Sequence, residues 1–315
     1  MIHEGREDAA AAEALLKEAG FTVSQMCCSR SSCFDYAARK NGSLIFVKIQ
    51  SDIDNFAHAD LAELKGISDS LSGVSFLISV KARDKLLEDD TVYSRYSVSA
   101  LTLKTFENMM MREAYPLIQA GRGGYYVEID GAAIRRRRQE MGLSVGAVAK
   151  MIGVSRRTLY GYEHGMAKAS VSAAYNMIST LGIPVAKPMN VFEKPRNQHK
   201  CSFLLTARRM IEKNKLLMRI FRKSQRCNVT TVKKAPFDFV ITVPDEKMRV
   251  IGGVADNRER DLDKRVDEIL SVSRIVQARP IMITEGPKLV KRDVSCICSK
   301  DLSNIRDAED LINIT

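Results

Sequence analysis

Residues 143–165, L-S-V-G-A-V-A-K-M-I-G-V-S-R-R-T-L-Y-G-Y-E-H-G, constrain the fold more tightly than any other part of this 315-residue chain. Val148, Ala149 and Ile152 fall at helical spacing and Gly153-Val154 closes that helix. Ser155 then carries the N-cap oxygen that satisfies a free backbone N–H at the start of the next one. The pattern predicts two short helices across a tight glycine turn. Leu159 and Tyr162 turn inward on the second helix, which leaves Ser155, Arg156, Arg157, Thr158 and Tyr160 pointing outward from its N-terminal half. A helix of that kind fits a DNA major groove. Arg156 and Arg157 can each donate two hydrogen bonds to guanine O6 and N7, worth about 1 to 3 kcal/mol of discrimination, while Ser155 and Thr158 suit a phosphate or a thymine methyl. Tyr160 can stack or reach the backbone, and His164, just past the helix, can meet a phosphate.

The motifs G-L-S at 142–144, A-x-x-I-G-V-S at 149–155 and R-R-T-L-x-x-Y-E-x-G at 156–165 resemble the Cro/C1-type helix-turn-helix family, over residues 129–188. With its flanks included, the chain is similar to archaeal transcriptional regulators that carry such a motif in mid-chain. The resemblance implies binding to double-stranded DNA by two readers on half-sites, hence a homodimer. It also implies that Arg138 in the first helix pairs with Glu163 at the end of the third. Arg137 stands at a place the family often makes apolar, so its stem covers the core. Val145 departs from the pattern, because the family usually has there a glutamine that helps hold DNA.

Length allows two or three domains, each able to bury a core. A net charge of +11 and a pI near 9.3 favour a polyanionic partner over an acidic or apolar one. Arg135, Arg136, Arg137 and Arg138 cluster beside the helical motif, with Arg135 and Arg136 expected to face solvent or phosphate. Residues 196–234 are rich in Lys and Arg, with only Glu212 opposing them. The opening M-I-H-E-G-R-E-D has no apolar core of the kind a signal peptide needs, and no run reaches the roughly 20 apolar residues of a membrane span, so a cytoplasmic protein without a membrane partner is expected. Seven cysteines without a C-x-x-C pair read as reduced thiols. Cys296-x-Cys298 shares one strand face and could meet a soft metal with Cys227 or His199, but the spacing is not that of a zinc knuckle. Cys27, Cys28 and Cys33 lack a neighbour that would lower a thiol pKa. No residue pattern calls for a cofactor or a resident metal.

The two ends of the chain repeat one another. Residues 34–48 align with 237–251 as strand, turn, strand, and residues 61–79 align with 266–284 as an amphipathic helix running into a buried strand. Preceding helices near 9–19 and 216–224 complete each unit. Residues 98–103 and 297–302 read as a last strand leading to a short helix. The expected fold is mixed and multi-domain, with an all-α helix-turn-helix domain between two similar α/β domains. Their expected bounds are 1–116 for the first α/β copy, 117–128 for a glycine-rich linker, 129–188 for the helical domain, 189–199 for a proline-marked linker, and 200–315 for the second copy.

Glu13 on a helix, Asp35 at a strand and Lys48 on the next strand resemble a degenerate restriction-endonuclease-like core. Such enzymes hold Mg²⁺ between an Asp and an acid two residues before a Lys. Here Phe46 occupies that acid position. The second copy keeps Asp238, and the alignment puts Arg249 and Ile251 at the acid and lysine positions. Asp35 then reads as a structural group, and Asp52 and Asp54 as loop or cap residues. No catalytic residue is expected. The leading function is a sequence-specific DNA-binding transcriptional regulator whose flanks dimerise, bind an unknown effector or grip more DNA. The alternative is a structure-dependent nuclease or resolvase-like enzyme targeted by the helix-turn-helix.

Overall fold

The computed structural model describes residues 2–192, 227–243, 248–255, 259, 261–284, 293–298 and 300–305. The chain divides into two compact units, one from Met1–Ile78 together with Lys194–Thr315, the other Ser79–Glu193. The N-terminal part of the first unit runs α1 (Ile2–Glu18), β1 (Thr22–Val23), β2 (Tyr36–Lys40), β3 (Ser43–Ile49), α2 (His58–Ser70) and β4 (Val74–Ile78). The second unit contains β5 (Lys81–Ala82), β6 (Lys85–Leu86), β7 (Thr91–Arg95), β8 (Val98–Leu101), α3 (Leu103–Arg112), β9 (Ile118–Gly121) and β10 (Gly124–Val127). It continues through α4 (Gly131–Glu140), α5 (Val145–Ile152), α6 (Arg156–Glu163), β11 (Ala169–Ser170) and α7 (Val171–Leu181). The first unit then resumes with β12 (Asn228–Thr231), β13 (Phe239–Val243), β14 (Met248–Ala255), α8 (Leu262–Val276), β15 (Arg279–Thr284) and β16 (Ser295–Cys298).

In the first unit, one motif occurs twice. Antiparallel β2 and β3 lead through α2 into β4, parallel to β3; antiparallel β13 and β14 lead through α8 into β15, parallel to β14. Asn41 and Gly42, at φ 47° and 82°, close the first hairpin in the left-handed conformations that a two-residue turn between twisted strands requires. Leu44, Ile45, Phe46 and Val47 are all buried, as expected of a strand covered on both faces. The helix expected near 216–224 lies outside the described residues.

The register corrects the alignment of the two segments. Val47 lies opposite Tyr36, and Gly252 lies opposite Phe239. Phe46 therefore corresponds to Ile251 and Lys48 to Gly253, not to Arg249 and Ile251. The shift arises because residues 244–247 separate the strands of the second hairpin, whereas residues 41 and 42 suffice in the first. The aspartates confirm this equivalence: Asp35 Oδ2 accepts from Ile49 N at 2.7 Å, and Asp238 Oδ2 accepts from Val254 N at 2.6 Å.

The two segments grip each other reciprocally within the chain. Glu63 on α2 accepts the backbone N–H groups of Lys233 and Lys234 at 3.0 and 2.9 Å. Glu268, its counterpart on α8, accepts those of Cys28 and Ser29 at 2.9 and 2.7 Å. Each glutamate thus holds the loop that leads to the other segment's aspartate. Cys33 N donates to Lys234 O at 2.8 Å, and the rings of Phe34 and Phe237 lie 6.2 Å apart. Arg39 from β2 and Arg249 from β14 both donate to Val276 O at the end of α8, at 3.4 and 3.2 Å, where orphan carbonyls favour a cation. The sequence leaves open whether the two flanking copies pair within or between chains; these contacts pair them within one.

The second unit has the strand order β8-β7-β9-β10-β11. Residues 117–128, expected as a linker, carry the hairpin β9 and β10, whose two-residue turn is Arg122 and Gly123, the glycine at φ 88°. Glycine here serves a turn, and Tyr125, Tyr126 and Val127 beside it suit a strand. β8 and α3, expected to end the first copy, fall in this unit, where β8 pairs with β7. The ends of the helical region are tied together: Asp130 N donates to Val185 O and Lys187 N to Glu128 O, both at 2.8 Å. Residues 193–199 of the expected second linker lie outside the described residues.

Glu268→Ala removes the acceptor of two part-buried backbone N–H groups, each costing about 1 to 3 kcal/mol when orphaned. Chemical denaturation of the full chain should show a loss of roughly 3 kcal/mol, with faster hydrogen exchange at Cys28 and Ser29. Wild-type stability and exchange would show that the clamp does not join the segments.

Candidate nucleic-acid interface

The helical region is built from its caps and one apolar cluster. Asp130, Ser144, Ser155 and Ser170 cap α4, α5, α6 and α7, each accepting a hydrogen bond from the backbone N–H three residues on. Gly153 ends α5 at φ 76°, a left-handed value that lets the chain turn sharply into α6. Ile134, Val148, Ala149, Ile152, Leu159, Tyr162, Met177 and Leu181 close the core between the four helices. Val145 packs partly buried against that cluster. Burial pushes the Tyr162 phenol up.

The outward half of α6 carries the residues expected there. Ser155, Arg156, Arg157 and Tyr160 are exposed and Thr158 is half-buried. The Ser155 hydroxyl is engaged as the cap, 3.0 Å from Thr158 N and 2.8 Å from Thr158 Oγ1, so both groups are oriented by each other. The Tyr160 ring is stacked on His164 at 3.9 Å, and His164 Nδ1 lies 2.8 Å from Tyr160 O. One face of the tyrosine is thus taken, and the histidine is fixed at the C-cap. Arg135 and Arg136 stand exposed on α4. Neither they nor Arg156 and Arg157 form an ion pair among the described residues.

The other two arginines of α4 are engaged. Arg138 makes a bidentate pair with Glu163, Nε to Oε1 at 2.6 Å and Nη2 to Oε2 at 2.9 Å, while its Nη1 donates to Leu143 O at 3.0 Å. The side chains are 12% and 2% exposed, so the pair sits in the fold rather than on it. Its hydrogen bonds to Glu163 raise the Arg138 pKa. Arg137 donates from Nε to Leu181 O, the last carbonyl of α7, at 3.0 Å, and pairs with Glu140 at 3.3 Å. Its head thus caps a helix end.

The residues suggestive of a nuclease occupy a different unit and are differently engaged. Lys48 Nζ sits 2.8 Å from Asp35 Oδ1 and donates to Ser32 O at 3.1 Å. The acid position two before it is the fully buried Phe46. Glu13 accepts from Tyr36 Oη at 3.2 Å and from Lys17 at 2.6 Å. In the second segment Gly253 stands at the lysine position, and a Cβ there would lie 2.6 Å from the Met282 sulfur. A buried arginine from α8 supplies the charge instead: Arg265 pairs with Asp238 at 2.5 Å and Glu259 at 2.8 Å, and donates to Pro236 O and Val254 O at 2.6 and 3.0 Å. Arg30 reaches across from the first segment to the same acids, at 2.8 and 3.1 Å. Each aspartate is thereby neutralised by a cation. Among the described residues no group of three or more His, Cys, Asp or Glu is placed to hold a metal. Asp52 caps the short turn Ile53–Asn55 by accepting from Asp54 N at 2.9 Å.

Cys27 and Cys33 are buried, and burial raises both thiols well above their ordinary pKa. Cys28, Cys227, Cys296 and Cys298 likewise form no disulfide among the described residues, and His199 and Cys201 lie outside those residues. No described helix is long and apolar enough to cross a membrane. Arg265, Glu63 and Glu268 escaped the reading of the sequence, although the two glutamates occupy equivalent places in the repeat and could have been found there.

The fold and this surface define a mixed α/β protein that carries a helix-turn-helix. Residues 8–116 match the PD-(D/E)XK superfamily domain and residues 134–187 match the helix-turn-helix. A relative from Methanococcoides burtonii, named "Putative HTH-type transcriptional regulatory protein", is 32% identical over 302 residues, covering 94% of this chain and 92% of its own. A relative of the same description from Methanocella arvoryzae is 32% identical over 309 residues, covering 96% and 93%. A third, from Pyrococcus furiosus, is 27% identical over 305 residues, covering 96% and 94%. The chain belongs to this family of archaeal HTH-type transcriptional regulatory proteins.

Stranding one charge of a buried pair costs about 3 to 5 kcal/mol. Arg138→Ala and Glu163→Ala should each lower the melting temperature of the helical unit and weaken DNA binding indirectly. Unchanged melting in both would show that the pair is superficial.

Proposed function

We propose that this protein is a sequence-specific regulator of transcription that reads double-stranded DNA by placing α6 in the major groove. One observation carries the reading: Arg156 and Arg157 stand exposed, and without ion pairs among the described residues, at the head of a helix whose opposite face, Leu159 and Tyr162, is buried. Cations left unpaired beside others that are fully engaged suit a polyanion. Ser155 and Thr158 orient each other for phosphate or thymine, Tyr160 and His164 form one stacked unit beside them, and Arg135 and Arg136 add backbone contacts from α4.

In this reading the flanking segments are two copies of one degenerate nuclease-like core, retained as a body and not as an enzyme. The match of residues 8–116 to a PD-(D/E)XK domain favours the second reading, a nuclease aimed by the helix-turn-helix. Against it stand Phe46 at the acid position and the engagement of Lys48 with Asp35. A single α6 spans few base pairs, so two readers on half-sites about one helical turn apart are the expected assembly. Because the flanks are occupied with each other, that homodimer uses surfaces other than the faces they share. An effector, if the protein answers to one, has no assigned site.

Selection from randomised duplexes tests the assignment. Arg157→Ala should flatten sequence preference, whereas neutralising Arg135 and Arg136 together should weaken all duplexes alike and reduce the salt slope by about 2. Retained preference in Arg157→Ala and Arg156→Ala would remove α6 as the reader. Incubation with plasmid in Mg²⁺ or Mn²⁺ separates the second reading: intact supercoils are expected under conditions where a duplex is shifted, and nicking that depends on the metal would establish an enzyme.

A further inference from the structure

The two arginines at the head of α6 do not have the same surroundings. Gly146 is the second residue of α5, and a Cβ built on it would lie 2.6 Å from Arg156 Nε, 3.0 Å from its Cζ and 3.1 Å from its Nη2. The first of these distances is shorter than real Cβ contacts and the other two are tight, so the Arg156 head occupies the space that a side chain at position 146 would fill. Gly146 has an ordinary helical backbone, without a positive φ. Its conformation does not require glycine, and alanine is the better helix former. What the missing side chain provides is room for the guanidinium.

We propose that Gly146 is a positioning residue for DNA recognition: it seats Arg156 against the first turn of α5, so that this guanidinium is oriented before DNA arrives. The inference rests on α6 being the reader. Arg157, one residue on, lies about 100° further round the helix and has no such seat among the contacts described. An arginine with a fixed planar head loses less freedom on forming its hydrogen bonds than one that must be ordered from solution. Arg156 is therefore the orienting contact of the pair, and Arg157 adapts to the site that Arg156 sets. Val145 beside Gly146 packs against the core and offers no polar group, which leaves Arg156 as the side chain that presents charge at this end of α5.

Gly146→Ala tests the proposal cleanly, because the atoms it meets belong to the far end of a flexible side chain and the fold can accept it. The full chain carrying Gly146→Ala should melt at or above the wild-type temperature. In selection from randomised duplexes it should lose about tenfold in preference for the wild-type site, as a well-made arginine–guanine contact contributes. Arg156→Ala should lose about as much, and the double variant no more than either. Without DNA, ¹⁵N relaxation should find Arg156 Nε ordered and Arg157 Nε mobile in the wild type, with both mobile in Gly146→Ala. Additive losses, unaltered preference in Gly146→Ala, or equal mobility of the two arginines in the wild type would overturn the seat while leaving α6 as the reader. A wild-type protein that selects no sequence would overturn both.

Discussion

The reciprocal hold of two glutamates on two loops joins the two ends of this chain into one unit. Glu63 and Glu268 each accept a pair of backbone N–H groups from the segment at the other end of the sequence. A carboxylate that receives two such bonds is well compensated, and the part-buried loops gain fixed acceptors. Residues separated by 170 to 240 positions are thereby made into one unit, and in sequence the helical region is inserted between its halves. Pairing that a dimer would achieve between chains is accomplished inside one.

In the same unit, the aspartates of a nuclease-like layout are each held in ion pairs. Asp35 and Asp238 keep equivalent places and equivalent backbone bonds, yet the cation facing each comes from a different element: Lys48 on β3 in one case, Arg265 on α8 and Arg30 from the opposite segment in the other. Gly253 leaves no room for a lysine beside Met282, so the arginine on the helix is the replacement that the packing permits. Arginine's planar fork lets one fully buried side chain satisfy two carboxylates and two carbonyls. Across both units, arginines divide into those that close the fold, such as Arg137, Arg138 and Arg265, and those kept exposed on α4 and α6.

Much of the helical unit was legible because its signals are local. Ser144, Ser155, Gly153 and the spacing of Val148, Ala149 and Ile152 each act within a turn or two, and the structure places α5 and α6 where they indicate. The bidentate pair of Arg138 and Glu163 followed from family resemblance, since nothing in spacing alone joins positions 25 residues apart. The second hairpin was misaligned by two residues because apolar alternation has a period of two and tolerates that slip. Glycines at 121, 123 and 124 mark a turn and a linker equally well, and only pairing decides between them. Gly146 could not be recognised at all, because its role lies in a contact with a side chain on the next helix.

The central claim is that the exposed face of α6 selects sequence in duplex DNA. Genome-wide footprinting of the bound full-length protein tests it most directly. The account predicts discrete protected sites that share one motif, with protection centred on major-groove edges and lost in the Arg156→Ala, Arg157→Ala double variant. Protection spread evenly over the genome without a common motif, or sites unchanged in that variant, would contradict it.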